Sequence, residues 1–360
     1  MPKAILSMNG RTVFLKNVSK NFLPAADMLT PFVIDPEALE QPQEQTPEQI
    51  RDCYAALFEC WEQAGLIVYD GDSLEHSRLY QAVRKLPQRQ RLTWLSHLAK
   101  LPRRAAGGAW SGQELAERLP ALAESGVLLA LIANQAAERQ AFAGGAASPE
   151  IRRIGDARRA AVFFKARQDA ASPIPSGSRA DDIWEQRFRT LAQAGLKRIA
   201  IVDRLALQIH FDSPRHSGLL NFLTRLAAAA GGLKHVTVYS AEIPLAAADI
   251  ETELQAVCDA LPNRSIDTLS LNIIPDPVFA IAAPDSFIRF ENYVWDIGCG
   301  LRLFSYPETH ALTLCGFKGG AVIEAYRRIE RHLDAQRLVK LSCPPLTRNI
   351  CNETPHPVST

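Results

Sequence analysis

The apolar positions of the chain change period twice. Ile50, Tyr54, Leu57, Phe58 and Trp61 recur three and four residues apart, the spacing of one helix face. Ahead of them, Thr46-Pro47-Glu48-Gln49 puts Thr at the cap, Pro at the first helical position and Gln three residues after the cap. This predicts a helix opened by a capping box. Gly65 ends it, Leu66-Ile67-Val68-Tyr69 reads as a strand, and Asp70-Gly71-Asp72 as its turn. Upstream, residues 11–16 form a short β-like run, residues 4–8 a further strand region, and the Pro-, Gln- and Glu-rich residues 36–48 a connection. Downstream, two alanine-rich helices are expected near 112–124 and 131–143, and residues 127–132 read either as a buried strand or as the start of the second helix.

The second change follows Ser172-Pro-Ile-Pro-Ser-Gly-Ser178, which reads as a linker over residues 171–180. Helical spacing over 181–194, 217–229 and 247–261 then alternates with apolar runs at 198–202, 235–239 and 268–272. Helix and strand in strict turn argue for parallel strands joined by crossovers. A β-rich section follows at 287–290, 294–297 and 311–314, then a helix over 321–336. The expected fold is α/β: a mainly helical or mixed α/β domain over 1–170, then a domain over 181–342 with a mixed sheet flanked by helices, and a flexible tail over 343–360.

Composition narrows the class without naming a chemistry. Lys plus Arg number 40 against 39 Asp plus Glu, so bulk charge does not drive binding to a polyanion, although a local patch can. No run of about 18 uncharged apolar residues predicts membrane insertion. Seven cysteines, an odd number with no CxxC pair, fit neither a disulfide framework nor a zinc knuckle. They fit small buried residues in a reduced, cytoplasmic setting. No metal site and no cofactor is expected.

Charge along the chain is less even. Residues 35–75 hold eleven acids and one Arg, and residues 76–104 hold eight Lys or Arg and no acid. Either the two stretches attract each other within one domain, or the second is a surface for phosphates. On the latter reading Arg84, Lys85, Arg89, Arg91, Arg103 and Arg104, with Arg152 and Arg153 from a second basic stretch over 151–167, bind DNA or RNA. Trp94 and Tyr80 among these cations would supply the aromatic face of a single-strand groove. At helical spacing, Tyr80, Val83 and Leu86 equally form a buried stripe.

The most distinctive stretch runs Pro284-Asp285-Ser286-Phe287-Ile288-Arg289-Phe290-Glu291-Asn292, then Val294-Trp295-Asp296-Ile297-Gly298-Cys299-Gly300-Leu301. It resembles the C-terminal phospholipase D-like domain of proteins with a microtubule-interacting-and-trafficking module. In that family a strand with His-Asp-Arg, then Arg-Phe and Asn, runs into a hairpin and an Ile-Gly-x-Gly-Leu turn. Ile199-Ala-Ile-Val-Asp203-Arg204 resembles that family's first strand, and the likeness covers about residues 185–320. It implies a phospholipase D-like fold and a ligand face that includes Asp285, Arg289, Asn292 and Arg302. Phospholipase D chemistry needs an imidazole to attack phosphorus and Lys to neutralise the phosphate. This chain has no HxK, and Pro284 and Ser286 stand where the family has His and Arg. The resemblance therefore implies a degenerate active site that keeps binding. Arg289 itself reads either as a ligand contact or as an edge-strand Arg with a carboxylate such as Asp296. Gly298 and Gly300 read as a tight turn.

The expected role is a non-catalytic binding and assembly component of a prokaryotic multi-protein system. Its partners are other protein subunits or a second copy, with DNA or RNA as a further ligand, and phage or mobile-element defence as the setting. Two alternatives stand beside it. One is a metal-dependent nuclease or phosphodiesterase using Asp70, Asp72 and Glu75, or Asp203 and His210 with His216 downstream. The other is a phosphoinositide or membrane-surface binder by analogy with the trafficking-type domain.

Overall fold

A computed structural model describes residues 29–39, 46–106, 115–133, 149–229, 232–262 and 265–343. The expected strands at 4–8 and 11–16, and most of the expected helix at 131–143, lie outside the described residues.

The N-terminal half is built on five parallel strands. They are β1 (Thr30–Ile34), β2 (Gly65–Tyr69), β3 (Arg103–Ala105), β4 (Leu129–Ile132) and β5 (Glu150–Arg153), in the order β3-β2-β1-β4-β5. The helices are α1 (Pro47–Ala64), α2 (Arg78–Lys85), α3 (Gln88–Lys100), α4 (Leu115–Glu124) and α5 (Ala161–Ala170). This half is thus α/β, not mainly helical. Its central strand, Thr30-Pro-Phe-Val-Ile, is buried throughout. Pro31 masks it in the sequence, because Pro lacks a ladder N–H and is usually kept out of central strands. Here it sits at the second residue, where its carbonyl accepts the Leu128 N–H at 2.8 Å. The capping box of α1 is present: Thr46 Oγ1 accepts the Gln49 N–H and Gln49 Oε1 accepts the Thr46 N–H. The face of α1 that carries Ile50, Tyr54, Leu57, Phe58 and Trp61 is buried. Trp61 meets Phe32 edge-on at 5.9 Å and donates its indole N–H to the Pro102 carbonyl. Each such side chain contributes about 1.5–3 kcal/mol by leaving water.

The C-terminal half holds a seven-stranded mixed sheet. It starts with a helical run, α6, over 180–193, followed by β6 (Arg198–Val202), α7 (Ala206–Asp212), α8 (Gly218–Ala228), β7 (Lys234–Ala241), α9 (Ala247–Ala260) and β8 (Ile266–Ile274). Then come α10 (Asp276–Ala282), β9 (Phe287–Phe290), β10 (Tyr293–Ile297), β11 (Cys315–Gly319), α11 (Ile323–Ala335) and β12 (Val339–Cys343). Strand order is β11-β10-β9-β6-β7-β8-β12. The alternating period produces the parallel trio β6-β7-β8, and β9 to β11 extend it antiparallel. Cys343, counted with the tail in the sequence, ends a strand paired with β8. Ala311–Leu314 is not a strand; the pairing begins one residue later, at Cys315.

Residues 171–180 are a fastened strap. Ile174 exchanges two backbone hydrogen bonds with Thr313, and the Gly177 and Ala180 N–H groups donate to the Thr309 and Pro307 carbonyls. Residues 184–188 of α6 form a π-helical turn. Trp295 donates its indole N–H to the carbonyl of Arg187 in that turn, and the Arg187 guanidinium, lying over the Trp295 ring, donates to the Asp169 and Ser172 carbonyls. The two halves also touch directly. Tyr293, wholly buried, donates its hydroxyl to the Trp61 carbonyl at 3.1 Å. Gly319 lies so close to α1 that a Cβ there would stand 2.7 Å from the Glu62 carbonyl oxygen.

Candidate functional site

The basic residues singled out in the sequence do not share a surface. Arg103 and Arg104 belong to β3, Arg152 and Arg153 to β5, and these strands form opposite edges of the N-terminal sheet. Their guanidiniums serve the fold. Arg103 donates to the Leu98 carbonyl and Arg104 to the Ser125 carbonyl, Arg152 pairs with Glu150 at 2.7 Å, and Arg153 with Asp156 at 3.2 Å. Arg84, Lys85 and Arg89 are exposed around the α2–α3 junction, where Arg91 donates to the Arg84 carbonyl. Trp94 is no stacking platform. It is fully buried, edge-on to Tyr54 at 5.3 Å and to Phe58 at 4.8 Å, and Val83 and Leu86 are buried with it. The stripe at helical spacing is core. The acidic stretch 35–75 meets cations from several elements: Glu59 pairs with Arg158, and Glu62 lies 3.5 Å from His97.

The residues drawn from the 284–302 stretch also separate. Strand β9 runs antiparallel to β6, so Phe287 lies opposite Val202 and Phe290 opposite Ile199. Asp285, in an exposed bend, therefore stands at the carboxyl end of β6, whereas Asn292 stands beyond its amino end. Arg302, exposed, belongs with the Asp285 end. Strand β9 is interior, between β10 and β6, so Arg289 is not an edge-strand residue. Its carboxylate partner is Glu330 of α11, held through both Nε and Nη2, while Nη1 donates to the Glu291 carbonyl. Asp296 instead receives Lys318 and the Tyr326 hydroxyl.

At the carboxyl end of β6 the structure explains the Ile-Gly-x-Gly-Leu turn. Asp203 is 5% exposed. Its Oδ2 accepts the Leu301 N–H at 2.7 Å, and its Oδ1 accepts the Leu205 N–H at 3.1 Å and the Ser286 hydroxyl at 3.4 Å. Burial pushes this carboxyl up from its ordinary value against the opposing pull of the two amides. Gly300 has φ +59, and a Cβ on it would stand 2.4 Å from Asp203 Oδ2. The turn is an anchor closed on a buried carboxylate. His210 and His216 take no part in it. His210 is buried between the Ser217 hydroxyl at 2.7 Å and Glu253 at 3.0 Å, and His216 stacks on Tyr306. Ser217 caps α8, its hydroxyl taken up by the Leu220 N–H and His210.

Asp70, Asp72 and Glu75 form no metal site. Asp70 Oδ1 accepts the Arg78 N–H at 3.0 Å, Asp72 is exposed, and Glu75 takes the Ser73 hydroxyl. Among the described residues no group of three or more His, Cys, Asp or Glu is placed to hold a metal ion. No described helix is long and apolar enough to cross a membrane.

An open polar groove lies where the two halves meet. The groove, of about 870 Å³, is lined by Lys100 at the end of α3, by Lys197 and Arg198 at the start of β6, by His235 of β7, and by Arg327 and Arg331 of α11, with Glu291 and Asp334 as acids among them. Arg289 and Glu330 form its floor as a neutral pair. Asn292 joins its walls, donating to the Lys100 carbonyl at 3.4 Å and accepting from Arg327 at 2.7 Å. Lys100, Lys197 and Arg198 are exposed and make no ion pair among the described residues, so three positive charges face solvent unspent. No local pattern in the sequence marks this groove, because its cations come one or two at a time from segments some 230 residues apart.

No protein-family model matches the chain, and no curated protein matches it. Among solved structures, an archaeal chromatin protein, TrmBL2, described as showing a novel mode of DNA binding, is similar at 7% identity and a TM-score of 0.26. The likeness covers 47% of this chain and 54% of that one, about half of each.

Proposed function

We propose that the chain is a nucleic-acid-binding component that works by binding and assembly, with the groove between its halves as the track for a phosphate backbone. The observation that carries this is the set Lys100, Lys197 and Arg198, unpaired among the described residues and converging on one open groove. Unpaired surface cations gain affinity by releasing counterions from a polyanion. The phospholipase D-like reading of the C-terminal half fits a binding role. Pro284 and Ser286 stand where an attacking imidazole and a phosphate-clamping Arg are needed, and the carboxylate at the end of β6 is enclosed. The Ala-, Arg-, Leu- and Gln-heavy residue usage supports a prokaryotic setting for that assembly.

The test is fluorescence anisotropy with a labelled single-stranded 20-mer of DNA or RNA. About three neutralised phosphates on a single strand give a log–log salt slope of about −2. Charge reversal at Lys197 and Arg198 should weaken binding at least tenfold, and the same reversal at Arg84, Lys85 and Arg89 should leave it within about twofold. The opposite pattern, or no binding at low salt, overturns the groove as the site.

A further inference from the structure

The N-terminal sheet carries a second site at its carboxyl edge. Strand order β3-β2-β1-β4-β5, all parallel, places β1 between β2 and β4. The chain leaves β1 towards β2 and later returns to its other side for β4, so the order reverses there. Open parallel sheets bind ligands in the crevice beyond the strand ends at such a reversal. Phe32 pairs with Ile67, so Asp35 and Asp70 are each the first residue beyond their strands, side by side.

One guanidinium and one backbone N–H meet these carboxylates. Arg118 of α4 lies 3.4 Å from Asp35 through Nη2, and Arg78 opens α2 with its backbone N–H on Asp70. Arg118 is 8% exposed, and burial pushes its guanidinium down from the ordinary value while Asp35, Asp70 and Glu37 pull it back and Arg78 adds to the depression. The hydrogen-bond count does not close there. Arg118 Nε and Arg78 Nη1 are buried donors with no partner among the described residues. Asp70 Oδ2 likewise receives no donor among them. A buried donor left unpaired costs about 1–3 kcal/mol, so two such donors beside an open carboxylate oxygen amount to a site shaped for something that accepts from both Arg and donates to Asp70.

We infer that this crevice binds a nucleotide, with its phosphoryl oxygens on Arg78 and Arg118 and a ribose hydroxyl on Asp70. An acid at the end of the second strand is where sheets of this order hold a ribose hydroxyl. The turn after β1 is Asp35-Pro36-Glu37-Ala38-Leu39, without glycine. It therefore lacks the amide cradle that takes a pyrophosphate, and the side-chain guanidiniums supply the phosphate donors instead. That geometry suits one phosphoryl group, from a free mononucleotide or from the phosphorylated end of a strand.

Isothermal titration of the full chain with the four ribonucleoside 5′-monophosphates, their 2′-deoxy forms, inorganic phosphate and a 5′-phosphorylated ribotetranucleotide tests this. Saturable binding of a ribonucleotide, at least tenfold tighter than inorganic phosphate and at least tenfold weaker in Arg78→Gln, is expected. Asp70→Asn should erase the preference for ribose over deoxyribose while keeping phosphate contact. Tighter binding of the tetranucleotide than of any monophosphate assigns the site to strand ends, and the reverse assigns it to free nucleotides. Arg78→Gln should weaken the ribonucleoside monophosphates while leaving anisotropy binding of the single-stranded 20-mer within about twofold, which separates this site from the groove. Because Arg118 is buried and its variants can unfold, Arg78→Gln and Asp70→Asn carry the decision. If no phosphate probe saturates at millimolar concentration, or if both folded variants bind as the parent does, the inference is wrong.

Discussion

Each half of the molecule ends a parallel strand in an aspartate, and the two are used in opposite ways. Asp203, after β6, accepts two backbone N–H groups and a hydroxyl and is enclosed by the Gly300 turn. Asp35, after β1, accepts the Glu37 N–H and faces Arg118, beside donors that nothing described satisfies. The position in the fold is the same, so the position alone does not mark a site. What separates them is whether the surrounding chain uses up the polar groups. In the C-terminal half a glycine-bearing turn brings two amides onto the carboxylate, and the result is an anchor. In the N-terminal half two buried guanidinium nitrogens are left without partners among the described residues, and the result is a place for a ligand.

Removing the anchor should have the largest effect. Asp203→Ala leaves the buried Leu301 N–H and the half-buried Leu205 N–H without their acceptor, at up to about 1–3 kcal/mol each, so a loss of roughly 4 kcal/mol in urea unfolding is expected. A loss below about 1 kcal/mol would mean that the turn holds without it, and the contrast would fail. Gly300→Ala tests the same anchor from the turn side. A non-glycine residue in the left-handed region costs about 1–3 kcal/mol, and the Cβ would also displace the carboxylate. Roughly 3 kcal/mol of destabilisation is therefore expected, with nucleotide affinity unchanged. Asp70→Asn, at the same edge, should cost least, about 1 kcal/mol by the same measurement, because Asn keeps a carbonyl acceptor for the Arg78 N–H. A cost as large as that of Asp203→Ala would show that both edges are structural.

Several elements are legible in the residues alone. The capping box at Thr46 and Gln49, the apolar stripe of α1 and the alternation that forms β6, β7 and β8 all depend on neighbours within about one element length. Strand β1 is not legible in this way, because Pro31 breaks the local strand pattern and only burial on both faces reveals it. The placement of Arg103, Arg104, Arg152 and Arg153 is illegible for a related reason. A run of cations in sequence says nothing of which edge each strand takes, and here the two runs go to opposite edges where nearby carbonyls and carboxylates use them. The glycines at 298 and 300 do form the turn that their spacing suggests, but the carboxylate that requires Gly300 lies almost a hundred residues earlier.

Residue types and local spacing are enough for the α/β class, the period of each helix and strand, the missing HxK and the near balance of charge. No tertiary contact alters those properties. Which charges are spent and which are left is a matter of folding. Folding pairs Arg289 with Glu330, sets Lys100 beside Lys197 and Arg198, and leaves Arg118 and Arg78 with buried donors beside Asp70. Whether a charged side chain anchors the fold or awaits a ligand depends on its distance to groups remote in the chain, and that distance exists only once the chain has folded.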